Sequence, residues 1–225
     1  MPNIYAMADI HGCYEVMEET LSIIDWPSVG QGDRLIFCGD YIDYGPDSCK
    51  VIYKVKELTE ACPGRVHALM GNHERLFLDY LDCGPNDIWN YEWLSSDPEF
   101  KTVRTFVSEG MMDRVESLER RRRSEPDFPG LVMAVSQEIK ADILENHAGL
   151  SRWLKGLPYY YETETQIYVH AGLEEEAEDL WKWATEDSLF FSKFPHTAGR
   201  FYKDIIAGHI GSCAVAGDED FCGVY

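Results

Sequence analysis

The sequence predicts an α/β fold whose first third is built around a parallel sheet. Three observations carry this. Short apolar runs alternate with helix-period segments through the first 70 residues. A cluster of polar, metal-ligand-type residues follows each apolar run. A long stretch of helical pattern, residues 85–157, then separates this part from further short strands. Strand–helix–strand–helix–strand alternation favours parallel pairing through right-handed crossovers.

Taken in order, Asn3–Ala8 is a short apolar run that reads as a strand. Tyr14–Ile24 has helical spacing through Val16, Leu21 and Ile24. Arg34–Cys38 (RLIFC) reads as a buried strand. Ser48–Leu58 places Val51, Ile52, Val55 and Leu58 on one helix face, and Arg65–Met70 (RVHALM) is a third strand. The middle is read as several short helices forming a cap or insertion, broken at Pro98, Gly110, Pro126 and Pro129–Gly130. Strands return at Tyr159–Glu162 and Gln166–His170, helices at Glu174–Trp183 and Asp187–Phe191, and a last short strand at Asp204–Ala207. No Gly/Ser/Pro-rich linker divides the chain, so one domain, residues 1–225, is expected.

A hydrophobic fraction of 45% suits a filled core. No apolar run reaches the length of a membrane helix, and the N-terminus lacks the basic and apolar pattern of a signal peptide, so a cytoplasmic protein with no membrane partner is expected. The seven cysteines are scattered without a C-x-x-C pair, which suggests reduced thiols and no thiolate zinc site. The formal net charge of −20 repels polyphosphate backbones and argues against general nucleic-acid binding.

The strand ends hold the chemistry. They read Asp9-Ile10-His11-Gly12, Gly39-Asp40-Tyr41-Ile42-Asp43, Gly71-Asn72-His73-Glu74, His170-Ala171-Gly172 and Gly208-His209. Carboxyl ends of strands are where α/β sheets bind ligands. In extended backbone, residues two apart point to the same side, so Asp9 and His11 can chelate together. Carboxylate, imidazole and carboxamide without thiolate suit manganese, iron or zinc. Six ligand candidates exceed one tetrahedral ion and suit two ions, with a carboxylate such as Asp40 between them. Two such ions, roughly 3.5–4 Å apart, can generate hydroxide near neutral pH and clamp an in-line displacement. They leave the site positive inside an acidic chain and so attractive to phosphate.

The set DIHG (9–12), GDYIDYG (39–45), GNHE (71–74), HAG (170–172) and GH (208–209) resembles the phosphoprotein phosphatase branch of the calcineurin-like metallophosphoesterases, bacterial type, in matching order. The resemblance implies a metallophosphatase-like four-layer β-sandwich, two mixed sheets flanked by helices, with the helical insertion at about 85–157. It implies two divalent metal ions, Mn2+ foremost. Asp9 and His11 would bind the first, Asp40 would bridge, and Asn72, His170 and His209 would bind the second. His73 would be the general acid, held by Asp43. The implied activity is phosphoester hydrolysis by a dinuclear-metal-bound hydroxide. The leading substrate class is a phosphorylated protein or small phosphomonoester, as in serine/threonine phosphatases. A phosphodiesterase or (di)nucleotide hydrolase is the alternative, and a non-catalytic metal-binding module is a third reading, against which the His73–Asp43 pair speaks.

The chain departs from the family pattern at two phosphate-gripping arginines. The GDxxDRG arginine is Tyr44, and Trp183 stands at the position after Leu180-Trp181 where the second is expected. This favours substrates that need less charge neutralisation than a monoester dianion. Lys182, Arg75 or Arg200 are candidate substitutes. Only sixteen residues follow His209, and Gly223–Tyr225 read as a strand. Other features read as ordinary structure. His67 is a sheet histidine, while His147 and His196 are surface residues. Arg120–Arg123 form a solvated helix end, Glu174–Glu176 an exposed helix start, and Trp181–Trp183 packing.

Overall fold

The computed structural model describes residues 2–26, 30–97, 99–197 and 199–217. Strands β1 (Ile4–Met7), β2 (Arg34–Phe37) and β3 (Val66–Ala68) form one parallel sheet in the order β1-β2-β3. Helices α1 (Tyr14–Ile23) and α2 (Ser48–Ala61) make its crossovers. Strands β4 (Tyr160–Glu162), β5 (Gln166–Val169) and β6 (Asp204–Ile206) form a second, mixed sheet: β4 runs antiparallel to β5, and β6 parallel to it. The six strands expected between residues 3 and 207 are present, each trimmed by one or two residues at one or both ends.

The period of two along the strands sorts side chains into layers. Leu35, Phe37, Val66 and Ala68 face the helices and join the main core. Ile36, Cys38, Leu69 and Tyr168 meet between the two sheets. Ile167 and Val169 face the other way, onto Leu173, Trp181 and Phe190 beside α8 (Trp181–Ala184) and α9 (Asp187–Ser192). The result is helix, sheet, sheet, helix: a β-sandwich flanked by helices. His67 crosses the inter-sheet gap, its ring 4.1 Å from that of Tyr161.

Between the sheets run α3 (Asn72–Asp82), α4 (Trp89–Ser96), α5 (Lys101–Phe106), α6 (Glu109–Arg121) and α7 (Phe128–Lys155). Their apolar faces belong to the same core cluster as the first sheet's helix side. Several expected breaks fall elsewhere. Pro129–Gly130 opens α7 instead of interrupting it: Asp127 caps it by accepting from Gly130 N–H at 3.1 Å, and proline suits a first turn whose N–H groups have no helical partner. Gly110 lies in the first turn of α6. Helix α7 spans 28 residues as two helical runs joined across a kink, longer than the short helices expected. It carries a kink at His147 (φ −130°, ψ 28°), whose ring bonds Tyr53 Oη and Phe106 O at 2.8 Å each. His147 is therefore a half-buried tie, and its reading as a surface residue is corrected. Glu175–Leu180 is a 3-10 helix ahead of α8. Trp181 is buried, as expected, but Trp183 is 90% exposed and packs on little. Pro98 and the expected strand at Gly223–Tyr225 lie outside the described residues. No described helix is long and apolar enough to cross a membrane.

Candidate metal centre

The loops after β1, β2, β3, β5 and β6 converge at one edge of the sandwich. The parallel ladder continues past the strands: Asp9 N–H donates to Gly39 O at 3.2 Å, His11 N–H to Asp40 O at 3.0 Å and Gly12 N–H to Tyr41 O at 2.8 Å. Gly208 N–H donates to His170 O at 2.9 Å on the second sheet. These bonds hold the loops while their backbones leave ordinary geometry. Asp9, His11, Asp40, Asp43, Tyr44 and His209 have φ between +45° and +72°. Such conformations cost about 1–3 kcal/mol each in non-glycine residues and gather where function demands them. Gly71 and Gly208 serve by close approach: a Cβ on Gly71 would collide with Asp40 N and Oδ1, and one on Gly208 with the Asp9 carboxylate.

Asp40 lies at the centre, 2% exposed. Its Oδ2 is 3.2 Å from His170 Nε2, 3.7 Å from His11 Nε2 and 3.8 Å from His73 Nε2. His170 Nε2 lies 2.8 Å from Asn72 Oδ1 and 3.2 Å from His209 Nδ1, and His209 Nδ1 lies 3.0 Å from Asn72 Oδ1. Two groups could thus hold an ion: His11, Asp40 and His73, and Asp40, His170 and His209. Asp40 is common to both. Asp9 faces the second sheet, both carboxylate oxygens accepting His209 N–H at 3.0 Å.

The donor set fits divalent cations. His170 Nδ1 donates to Cys38 O at 2.8 Å, and His11 Nδ1 to Ile42 O at 2.8 Å. Each ring therefore points its Nε2 towards Asp40. A backbone carbonyl fixing the tautomer from behind is the usual support of a metal-binding histidine. The Asn72 side-chain amide lies against these same atoms, its NH2 within donating distance of His170 Nε2, His209 Nδ1 and Asp40 Oδ2. Rotated, the same amide would offer a cation its carbonyl oxygen.

Beside this cluster His73 Nδ1 donates to Asp43 Oδ2 at 2.6 Å, and its backbone N–H donates to Asp40 Oδ1 at 3.1 Å. Burial disfavours charge on His73, but the Asp43 hydrogen bond and the charges of Asp40, Asp43 and Glu74 outweigh it and raise its pKa. Burial also works to raise Asp40. The His170 hydrogen bond, the charges of His170 and His73 and the His73 N–H together hold it below the usual carboxylate range. His209 is pulled down by burial and by His170.

Glu74 was not singled out from sequence, yet it organises the edge. Fully buried, it accepts from Asp40 N–H and Tyr41 N–H at 2.8 Å, Gly71 N–H at 3.2 Å and Ile42 N–H at 3.3 Å. Burial and the charge of Asp40 push its carboxyl up to about 7 against those donors. The GNHE motif held the signal, since a glutamate three residues after a helix N-cap commonly reaches back to the cap N–H.

The remaining candidates stand apart. Arg75 pairs with Asp79 one turn along α3. Lys182 pairs with Glu162, and Arg200 is exposed. Tyr44 is 68% exposed, its ring centroid 4.7 Å from that of His11 and 5.2 Å from that of His73.

A family profile described as calcineurin-like phosphoesterase matches residues 2–212, almost the whole chain. The chain belongs to the calcineurin-like phosphoesterase family. The family's divalent-metal chemistry agrees with the donor set above. Among curated relatives, a symmetrical bis(5′-nucleosyl)-tetraphosphatase of Coxiella burnetii is 34% identical over 91 residues, which are 40% of this chain and 28% of the relative. A protein of the same description from Legionella pneumophila is 36% identical over 84 residues, 37% of this chain and 28% of that one. The chain thus aligns with less than a third of those relatives' length. A solved metallophosphoesterase from Sphaerobacter thermophilus aligns at TM-score 0.38 and 16% identity, covering 75% of this chain and 46% of that one.

Proposed function

We propose that this phosphoesterase hydrolyses the phosphoanhydride of a dinucleoside polyphosphate, with two divalent ions held by Asp9, His11, Asp40, Asn72, His170 and His209. The observation that carries the hydrolytic reading is the convergence of acceptor atoms on Asp40 with the His73–Asp43 pair alongside. The ions, when bound, polarise phosphoryl oxygen and lower the pKa of water. Asp43 holds the His73 ring by Nδ1, so protonated His73 offers Nε2–H to the leaving oxygen as its bond to phosphorus breaks and water adds to the phosphorus.

Substrate class follows from charge. A phosphomonoester dianion calls for cationic side chains to grip its free oxygens. Tyr44 is neutral where the family pattern carries arginine, and Arg75 and Lys182 are each paired with a carboxylate. An internal phosphate of a dinucleoside polyphosphate carries a single negative charge and needs less compensation. The relatives named as bis(5′-nucleosyl)-tetraphosphatases support this over the serine/threonine phosphatase reading. The six described cysteines are all free, which suits a reducing, cytoplasmic setting.

The test is a panel of diadenosine tetraphosphate, a phosphodiester and a phosphoserine peptide with manganese, iron or zinc. Diadenosine tetraphosphate should be turned over with the highest kcat/KM. Preference for the phosphopeptide would return the protein to the phosphatase reading. Tyr44→Arg should raise monoester turnover relative to the other substrates.

A further inference from the structure

Tyr44 is a large aromatic residue left 68% exposed, on backbone with φ 63° that disfavours it. Nothing in the core asks for it there. What fixes it is the turn: Gly45 N–H donates to His11 O at 2.8 Å and to Asp43 O at 2.7 Å, pinning the loop over the site. The ring meets His11 at 70° between planes and His73 at 64°, so it stands steeply inclined to both imidazoles. Its neighbour His73 is the group that would face the leaving oxygen. The leaving group, phosphate first and nucleoside beyond it, therefore starts beside Tyr44.

We propose, building on the hydrolase reading above, that Tyr44 is a specificity-determining residue that seats the planar base of a nucleotide leaving group. The expected phosphate grip is replaced by a surface for an aromatic ring. An exposed aromatic face is what sequence-tolerant base stacking uses, since every base has a π-face. The residue that lowers the site's affinity for a bare dianion thereby raises it for a nucleotide. Discrimination comes from the ring and is blind to the hydroxyl.

The decisive experiment compares adenosine 5′-monophosphate with ribose 5-phosphate, two dianions that differ by the base, by isothermal titration with manganese present. Wild-type protein should favour the nucleotide by about tenfold, the scale of a single base–aromatic stack. Tyr44→Phe should keep that ratio. Tyr44→Ala and Tyr44→Leu should bring it close to one, leucine showing that bulk without a π-face does not suffice. Equal affinities in the wild type, an unchanged ratio in Tyr44→Ala, or collapse in Tyr44→Phe would each overturn the assignment, the last by making the hydroxyl responsible. Turnover of diadenosine tetraphosphate, measured in parallel, separates the two ideas. A nucleotide preference that depends on Tyr44 without turnover refutes the hydrolase reading alone. Turnover without that dependence refutes the role of Tyr44 alone.

Discussion

At the scale of single residues, the division of labour around Asp40 makes sharp predictions. His73 touches Asp40 and Asp43 but ends its hydrogen-bonding with one ring nitrogen free for a substrate. Replacing it with asparagine should lower kcat by about 10²–10⁴-fold, the usual worth of a positioned general acid. Manganese binding, followed by titration, should survive. Loss of both together would make His73 a structural ligand instead. The pH dependence has a definite sign. The protonated ring is the donor, so activity is lost as pH rises through its pKa. Asp43 and its neighbours raise that pKa, which carries the active range upward. Asp43→Asn removes the strongest raising partner, so the alkaline limb of kcat/KM should move to lower pH. An unmoved limb would assign it to another group. The family resemblance of GDxxD and GNHE implied these two roles, and the two side chains do lie in hydrogen-bond contact. For Glu74 the motif signals a helix-start glutamate, but not that the carboxylate buries itself to hold four N–H groups. Glu74→Gln would direct an NH2 at N–H donors and should destabilise by about 1–3 kcal/mol, read as a lower urea midpoint.

At the scale of elements, the strands were legible because five of the six apolar runs end in a cluster of ligand-type residues, and the alternation along β2 and β5 sorts their residues between two faces. The helices were less so, for a physical reason. Proline and glycine mark both the beginning and the end of a helix, and which one applies depends on a capping partner. At 129–130 the Asp127 carboxylate decides for a beginning. Helix α3 shows the same limit: its first residues are Asn72 and His73, so chemistry and helix start overlap and the motif hid the element. His147 was read as a surface residue because nothing local marks it. Its partners, Tyr53 and Phe106, lie 94 and 41 residues away. They tie the kink of α7 to α2 and α5. His147→Ala should cost about 1–3 kcal/mol by leaving a half-buried carbonyl without its donor, and leave kcat unchanged. Urea denaturation and steady-state kinetics on the same preparation check this. A fall in kcat would mean that the kink transmits to the metal edge.

At the scale of the whole molecule, the site is a clasp between the two sheets. Asp9 on the first sheet accepts the backbone N–H of His209, 200 residues on, and His170 of the second sheet donates to Cys38 of the first. The apolar surface between the sheets is small, with Ile36, Cys38, Leu69 and Tyr168 at its centre. Much of the cohesion between the halves therefore passes through polar groups of the metal edge. Without cations, Asp9 and Asp40 are left to imidazoles and backbone N–H groups alone, in a chain of net charge −20. Divalent ions bound by loops of both sheets should act as a bolt on the entire fold, since a ligand that binds only the native state stabilises it by mass action. At 100 times Kd that amounts to about 2.7 kcal/mol. For a chain of this size each kcal/mol moves Tm by about 2–4 °C. Stripping the protein with chelator and then adding manganese should thus raise Tm by about 5–10 °C in a thermal melt. His170→Ala, which removes a ligand common to the inter-sheet contacts, should abolish the rise. A melt indifferent to manganese, iron and zinc alike would mean that the acceptors around Asp40 do not close on cations, and the hydrolytic reading would fall with them.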